Sequence, residues 1–197
     1  MTHVPEEGPH VSMAIDTRTF RQVVGQFPTG VSVVTTEIGG EIHGMTVNAL
    51  TSLSLNPMLM LVCVDKRAKM AEFIEKAEGF TINILRSEQQ ALSTYFAGGW
   101  KEAKAPPFRF VEWKGGPRLE GCMAALGCRV QQITDGGDHL IVTGEVVGLH
   151  LGVEPRTPLV FHGGMYKKID VHESHPAPDL AIGKTDMKEF YDPWDEA

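Results

Sequence analysis

The segment GMTVNALTSLSLNP, residues 44–57, combines the alternation of a β-strand with an unusual number of polar side chains. Successive side chains of a strand point to opposite faces, so residues an even number apart share one face. One face of this segment would carry hydroxyl and amide groups, from Thr46, Asn48, Leu50, Ser52 and Ser54. The other face would be typical of a core, with Met45, Val47, Ala49, Leu53 and Leu55.

Two interpretations of the polar face remain open from the residues alone. Thr and Ser on a strand are often simply a solvated surface. Alternatively, hydroxyls, the Asn48 amide and backbone groups at the strand end form a small-ligand surface that offers donors and acceptors without charge. Such a surface would suit a planar heterocycle rich in nitrogen and oxygen.

The segments around residues 44–57 predict a mainly β domain. GVSVVTTE (30–37) and the glycine pair at 39–40 precede it, which indicates a hairpin. The apolar run at 58–64 is expected to be a strand buried on both faces. Further strands are predicted at 80–85, 122–133, 139–151 and 158–162. About eight strands favour a closed or nearly closed barrel, because closure removes exposed edges.

Three helices are predicted to flank the strands. The first, in residues 16–27, begins at Asp16 as N-cap and carries an apolar stripe of Phe20, Val23, Val24 and Phe27. The second, in residues 67–79, is amphipathic and is expected to stop at Gly79. The third opens with a Ser87/Gln90 capping box. No GxGxxG follows a strand, which argues against a doubly wound dinucleotide fold.

Composition excludes several classes of protein. A chain of 197 residues with 42% hydrophobic residues fits one domain with a real core. The net charge of −7 argues against a nucleic-acid partner, and no apolar run is long enough to cross a membrane. No secretion signal is recognisable, and the odd set Cys63, Cys122 and Cys128 suits small buried side chains in a reduced, cytoplasmic protein.

The two ends of the chain differ from the domain between them. Residues 1–16 are a polar leader, and residues 171–197 form an acidic, proline-containing tail. The aromatic residues Phe190, Tyr191 and Trp194 lead us to expect that this tail lies over the domain or over a partner subunit.

Two further motifs offer groups for chemistry. In DKRAKM (65–70), Lys66, Arg67 and Lys69 crowd a predicted helix N-terminus, where a phosphate would offset their repulsion; the alternative is a set of solvated cations. In GGDH (136–139), the neighbouring Asp138 could tune His139, although a single histidine at a strand start is commonly structural. The eight histidines show no metal-binding spacing, so no metal is predicted.

Five segments together resemble, in order and spacing, motifs of the flavin reductase family. They are FRQVVGQFPTGVSVVTT, GMTVNALTSLSLNP, GFTINIL, GGDHLIVTGEV and PLVFHGGMY, and the resemblance covers residues 17–169. These proteins are the reductase components of two-component flavin-dependent monooxygenases. The resemblance implies a split β-barrel domain over residues 17–170 that forms a homodimer. It also implies that the protein binds FMN or FAD near the dimer interface, reduces it with NADH or NADPH and passes it to a separate oxygenase.

The resemblance also implies site residues. The flavin ring and ribityl chain would contact the polar segment, the end of the next strand and the third helix, through Gly44, Met45, Thr46, Val47, Asn48, Ala49, Ser52, Cys63, Val64, Asp65, Tyr95 and Phe96. Lys66 and Lys69 would meet the phosphate. The nicotinamide side would include Phe161, His162, Gly163 and Tyr166, with His139 as the candidate catalytic residue that positions the nicotinamide.

Two alternatives to a reductase stay open. A protein of the same barrel class could hold flavin or haem without turnover. A related barrel enzyme could oxidise an amine through FMN, as pyridoxamine-phosphate oxidases do, but the arginines are scattered and show no set for an anionic substrate.

Overall fold

The computed structural model describes residues 15–153 and 157–169, and the fold is built on antiparallel strands. In chain order the strands are β1 (Thr29–Gly30), β2 (Ser32–Ile38), β3 (Glu41–Val47), β4 (Leu50–Leu55), β5 (Met58–Asp65), β6 (Gly79–Ile84), β7 (Phe110–Val111), β8 (Arg118–Leu119), β9 (Ala124–Gly136), β10 (His139–Leu151), β11 (Val160–His162) and β12 (Met165–Lys167). Seven of them form the main sheet in the order β3-β2-β6-β9-β10-β5-β4. The prediction of a mainly β fold is confirmed.

The main sheet curls until its two edges meet. β3 and β4 are the opposite edge strands, yet only Asn48 and Ala49 join them. Such a link spans at most about 11 Å, so the edges approach each other at this point. The arrangement is consistent with a split barrel. The prediction of one continuous strand through residues 44–57 is wrong, because the chain passes from one edge of the sheet to the other within it.

Two apolar clusters fill the two sides of the sheet. One contains Val34, Val62 and Phe80, and the other contains Val33 and Leu119. Because successive residues of β2 point to opposite faces, Val33 and Val34 belong to different clusters, and residues 31–36 are all buried.

The strand that the sequence predicted to be buried on both faces was β5, not β2. In β5 only alternate residues, Met60, Val62 and Val64, are buried, while Leu59, Leu61 and Cys63 are partly exposed. The prediction for this strand is therefore wrong within the described chain.

Within the described residues, three helices accompany the strands. They are α1 (Thr17–Val24), α2 (Lys69–Ile74) and α3 (Gln90–Phe96), the last preceded by a 3-10 turn at Ser87–Gln89. Asp16 caps α1, as predicted, by accepting hydrogen bonds from two backbone N–H groups. Helix α2 ends before Gly79, which already belongs to β6, so Gly79 does not terminate the helix. The predicted capping box is displaced, because the side chain of Gln89 accepts from the N–H of Arg86.

A small three-stranded sheet ties the two ends of the described chain together. β11 pairs with both β1 and β12, so that Thr29 lies opposite Phe161. The N–H of Gly163 donates to the carbonyl of Gly25 at 2.8 Å. The late motif PLVFHGGMY therefore lies against the early motif FPTG.

Several sequence-based expectations concern the ends of the chain. Residues 1–14 and the whole acidic tail, 171–197, lie outside the described residues, so the domain limits stay predictions. Among the described residues, no helix has the length and apolar character needed to cross a lipid bilayer.

Candidate active site

The link between β3 and β4 brings the polar segment onto the small sheet. The side-chain amide of Asn48 donates to the hydroxyl of Thr29 at 3.1 Å, and Thr29 is paired with Phe161. Asn48 and Ala49 are both exposed. The exposed amide and the backbone groups of the link thus lie beside Phe161, which the sequence placed on the nicotinamide side.

A hydrogen-bonded chain connects the polar segment to β12 through α3. The hydroxyl of Thr46 donates to the carbonyl of Ser93 at 2.7 Å, and the hydroxyl of Ser93 lies 2.8 Å from that of Tyr166. The ring of Tyr166 packs edge-on against Phe161, with the centroids 5.5 Å apart. Three predicted residues are therefore brought together by Ser93, which is fully buried.

Gly44 allows an aromatic ring to lie directly on β3. A Cβ atom at this position would fall 2.7 Å from Cε1 of Phe96, closer than two carbon atoms can approach. Phe96 also contacts Tyr95 and Phe108, with ring centroids 5.1 Å apart in each pair. The aromatic residues predicted at the end of α3 form one cluster that borders the polar segment.

The predicted residues at the end of β3 and in β4 and β5 differ in the groups that they present to a ligand. Val47 and Val64 are buried, so only their backbone could touch a ligand. Ser52 is exposed and lies opposite Met60 in the strand pair. The backbone N–H of Cys63 is already bonded to the carbonyl of Ala49.

His139 begins β10 beside the end of β5. It lies opposite Asp65 in the strand pair, and its Nδ1 is 2.7 Å from Oδ1 of Asp138. This hydrogen bond holds the pKa of the Asp138 carboxyl below its ordinary value. Hydrogen bonds from Arg67 hold the pKa of the Asp65 carboxyl well below its usual range. Both carboxylates next to His139 are therefore ionised at neutral pH, and the ring turns its other nitrogen, Nε2, away from Asp138.

The two lysines predicted at the phosphate have different neighbours. The ammonium of Lys66 binds Oδ2 of Asp135 at 2.5 Å and the carbonyl of Gly137 at 2.6 Å, in the turn between β9 and β10. The ammonium of Lys69 binds Glu41 at the start of β3, at 2.7 Å. Either lysine would have to share its ammonium group to bind a phosphate, so that role stays a prediction.

Thr29 and Ser93 are residues that sequence reasoning missed. Each contributes one polar group at the meeting point of distant segments, with partners 19 to 73 positions away along the chain. Ser93 did carry a signal, since it is a hydroxyl residue on the buried face of α3. No group of three or more potential metal ligands occurs within the described ranges.

Residues 24–170 match the family described as the flavin reductase like domain. The chain belongs to the flavin reductase family. The sequence-based identification of this family is confirmed.

Individual relatives support the same assignment. The reductase subunit HsaB of a flavin-dependent monooxygenase from Rhodococcus jostii is 35% identical, over 90% of this chain and 91% of its own. The structure of the flavin reductase PheA2 is 39% identical, with a TM-score of 0.74, over 79% of this chain and 99% of its own. The Streptomyces globisporus NADH:FAD oxidoreductase SgcE6, in complex with NAD and FAD fragments, is 33% identical, with a TM-score of 0.70, over 86% of this chain and 99% of its own.

Proposed function

We propose that this protein is an NAD(P)H:flavin oxidoreductase that reduces FMN or FAD and supplies the reduced flavin to a separate monooxygenase. The observation that carries the proposal is the family match over residues 24–170, which includes every predicted flavin and nicotinamide contact. The Rhodococcus relative is itself a reductase subunit of a flavin-dependent monooxygenase. A separate oxygenase partner for this chain follows from that relationship.

The proposed flavin site is the link between β3 and β4 together with the surfaces beside it. It comprises residues 44–49 and 63–65, Ser52, and the aromatic pair Tyr95 and Phe96. These residues fit a flavin because the exposed amide of Asn48 and the backbone of the link offer uncharged donors and acceptors to a heterocycle. Phe96, whose ring lies against β3 at Gly44, supplies an apolar border.

A bound flavin would supply the electron-accepting chemistry for hydride transfer from the nicotinamide. The protein's task is to hold the two rings together and exclude other orientations, an effect worth several kcal/mol. Phe161, His162, Gly163 and Tyr166 would border the nicotinamide, because β11 and β12 lie next to Thr29 and Asn48.

His139 would orient the nicotinamide rather than transfer a proton. Nδ1 of His139 lies 2.7 Å from Oδ1 of Asp138, and the tautomer with the proton on Nδ1 would present Nε2 as an acceptor. An acceptor at this place suits the amide N–H₂ of a nicotinamide carboxamide. The backbone N–H groups near Asn48 to Ser52 are proposed to stabilise the negative charge that reduced flavin carries.

The proposed activity predicts that NADH or NADPH is oxidised only when flavin is added. Steady-state absorbance of the nicotinamide, with and without FMN or FAD, measures this directly. A flavin-binding or haem-binding protein without turnover would leave NADH unconsumed under both conditions. An amine oxidase of the same barrel class would consume an amine and oxygen while leaving NADH unchanged.

We also propose a homodimer, because α1 exposes the apolar stripe predicted from the sequence. Phe20, Val23, Val24 and Phe27 are each more than half exposed. A second exposed apolar row, Leu149, Leu151 and Val153, follows alternate positions at the end of β10. Burial of such surface stabilises an interface by about 25 cal/mol per Å².

The homodimer predicts a mass in sedimentation equilibrium of about twice the 21.6 kDa of one chain. Val23→Asp and Val24→Asp should lower the fraction of dimer, because a charge within an apolar interface is costly. Arg129→Ala, which alters an exposed residue of β9 outside both apolar rows, serves as the control. A monomer for the unaltered protein at micromolar concentration would exclude the homodimer.

A cytoplasmic location is proposed from the cysteines. All three are free, and burial raises the pKa of the Cys128 thiol to about 12. Unpaired thiols suit a reducing compartment.

A further inference from the structure

A cavity of about 540 Å³ lies between α1 and the turn that joins β11 to β12. Its walls include the side chains of Arg18, Arg21, Gln22 and Gln26 and the glycine pair Gly163 and Gly164. This volume falls within the range of about 300 to 1,000 Å³ that is typical of small-molecule sites. None of the side chains named here was among the residues predicted from the sequence.

The arginines of this cavity differ from those elsewhere in the domain. Within the part of the chain that the structure describes, neither the Arg18 nor the Arg21 guanidinium makes a hydrogen bond or an ion pair. Arg67, Arg109 and Arg129, in contrast, are each paired with a carboxylate. Arg18 and Arg21 are three positions apart in α1 and both are exposed, so the two like charges are neighbours and could bind one anion together.

Helix α1 turns its polar side toward the domain. Arg18, Arg21 and Gln22 line the cavity, whereas Phe20, Val23 and Val24 lie on the other side of the helix, and all six of these α1 residues are exposed. A surface helix ordinarily shows the opposite arrangement, with its apolar side against the domain. The polar lining is therefore a consequence of how α1 is placed, which the backbone hydrogen bond from Gly163 to Gly25 helps to fix.

The cavity continues directly from the proposed nicotinamide side. Gly163 follows His162, the last residue of β11, and Phe161 is paired with Thr29. The hydroxyl of Thr29 accepts from Asn48 in the proposed flavin segment. A ligand with one end at Phe161 can thus extend past His162, the end of β11, to the turn at Gly163 and Gly164 that lines the cavity.

We propose that this cavity binds the adenosine diphosphate portion of a dinucleotide, with Arg18 and Arg21 on the two phosphates. This inference rests on the proposed function. A guanidinium matches a phosphate with two parallel hydrogen bonds, and two of them neutralise the two charges of a diphosphate. The side-chain amides of Gln22 and Gln26 offer donors and acceptors for ribose hydroxyls or an adenine edge. The same group occurs in NADH, NADPH and FAD, but not in FMN.

The test uses the double variant Arg18→Ala/Arg21→Ala, with Arg129→Ala as a control that also removes an exposed guanidinium. The KM for NADH is measured with FMN as acceptor, beside the KM for reduced nicotinamide mononucleotide, which lacks the adenosine half. The Kd for FAD is measured beside that for FMN. Arg18→Lys/Arg21→Lys keeps both charges but loses the paired hydrogen bonds, so its binding should fall between that of the parent protein and that of the double alanine variant.

If the cavity holds the adenosine diphosphate portion of NADH, the double variant should have a KM for NADH that is about tenfold higher or more. Its KM for reduced nicotinamide mononucleotide should be unchanged. If the cavity holds FAD, the Kd for FAD should rise about tenfold while that for FMN stays constant. An unchanged KM for NADH together with an unchanged Kd for FAD overturns the proposal. Equal losses for the long and the short ligands also overturn it, because they would reflect general damage.

Binding of ADP alone, followed by titration calorimetry, separates this inference from the proposed activity. ADP needs no turnover, so binding that is lost in the double variant and kept in Arg129→Ala supports the cavity even if NADH is never oxidised. If the wild-type protein reduces flavin but binds ADP no more tightly than the double variant does, the proposed ADP site in the cavity is refuted. The proposed reductase activity would still stand.

Discussion

Replacing His139 by alanine is expected to impair flavin reduction ten- to a hundred-fold and to leave the dissociation constant of flavin nearly unchanged. The expected loss corresponds to the hydrogen bond that Nε2 accepts from the nicotinamide and to the orientation that this bond fixes, at a factor of ten for each 1.4 kcal/mol. It should appear as a higher apparent constant for NADH or as slower single-turnover reduction. Flavin binding should be preserved, since the proposed flavin contacts extend over β3, β5 and α3.

His150→Ala is the matched control for this substitution. His150 lies on the same strand, roughly 35 Å along the chain from His139, and packs against Trp113. If His139 only braces the turn through Asp138, His139→Ala will lower the melting temperature and leave the reduction rate and its dependence on NADH unchanged. That result would remove His139 from the site.

Gly127→Ala is expected to destabilise the fold by about 4 kcal/mol or more, an unusually large effect for one methyl group. A Cβ atom at Gly127 would overlap the backbone carbonyl oxygen of Lys114, and the neighbouring loop cannot move aside by rotating a side chain. A Cβ atom at Gly115, in the same loop, would likewise clash with the backbone nitrogen of Cys128. The segment before β8 thus crosses β9 in direct backbone contact.

Urea unfolding measures this effect, with Gly30→Ala as its control. A Cβ atom at Gly30 would have no neighbour within 4 Å, so this variant should stay within about 0.5 kcal/mol of the parent protein. If Gly127→Ala were as stable as Gly30→Ala, the direct backbone contact between β9 and the loop before β8 would be contradicted.

Local signals in the sequence predicted the elements whose structure is decided locally. Asp16 caps α1 as expected, and the glycine pair at 39–40 does join β2 to β3. The turn between β9 and β10 was also predicted, and Gly137 adopts a positive φ of 84° there. In each case neighbouring residues determine the backbone conformation.

Features that depend on closure of the sheet could not be predicted in the same way. Alternation in residues 44–57 indicates a strand but gives no sign that the chain changes edges at Asn48 and Ala49. The apolar run in β5 likewise predicted two buried faces, because composition does not tell which side of a strand another layer will cover.

Contacts between distant segments were also missed in the candidate site. The motifs predicted Asn48, Phe96 and Tyr166 as site residues but gave no indication of Ser93, whose hydrogen bonds join two of the segments. Lys66 and Lys69 were predicted to contact a phosphate because they lie at a predicted helix N-terminus crowded with positive charge. Their actual neighbours, Asp135 and Glu41, lie 69 and 28 positions away and could not be paired with them from one sequence.

Anaerobic single-turnover mixing of the protein and FMN with NADH or NADPH tests the central proposal most directly. Absorbance of oxidised flavin reports the reaction, and NADH carrying deuterium at the transferred position of C4 reports whether hydride transfer limits it. We expect one flavin to be bleached for each nicotinamide oxidised, more slowly with the deuterated donor. Absence of bleaching with either nicotinamide would contradict the assignment of this chain as a flavin reductase.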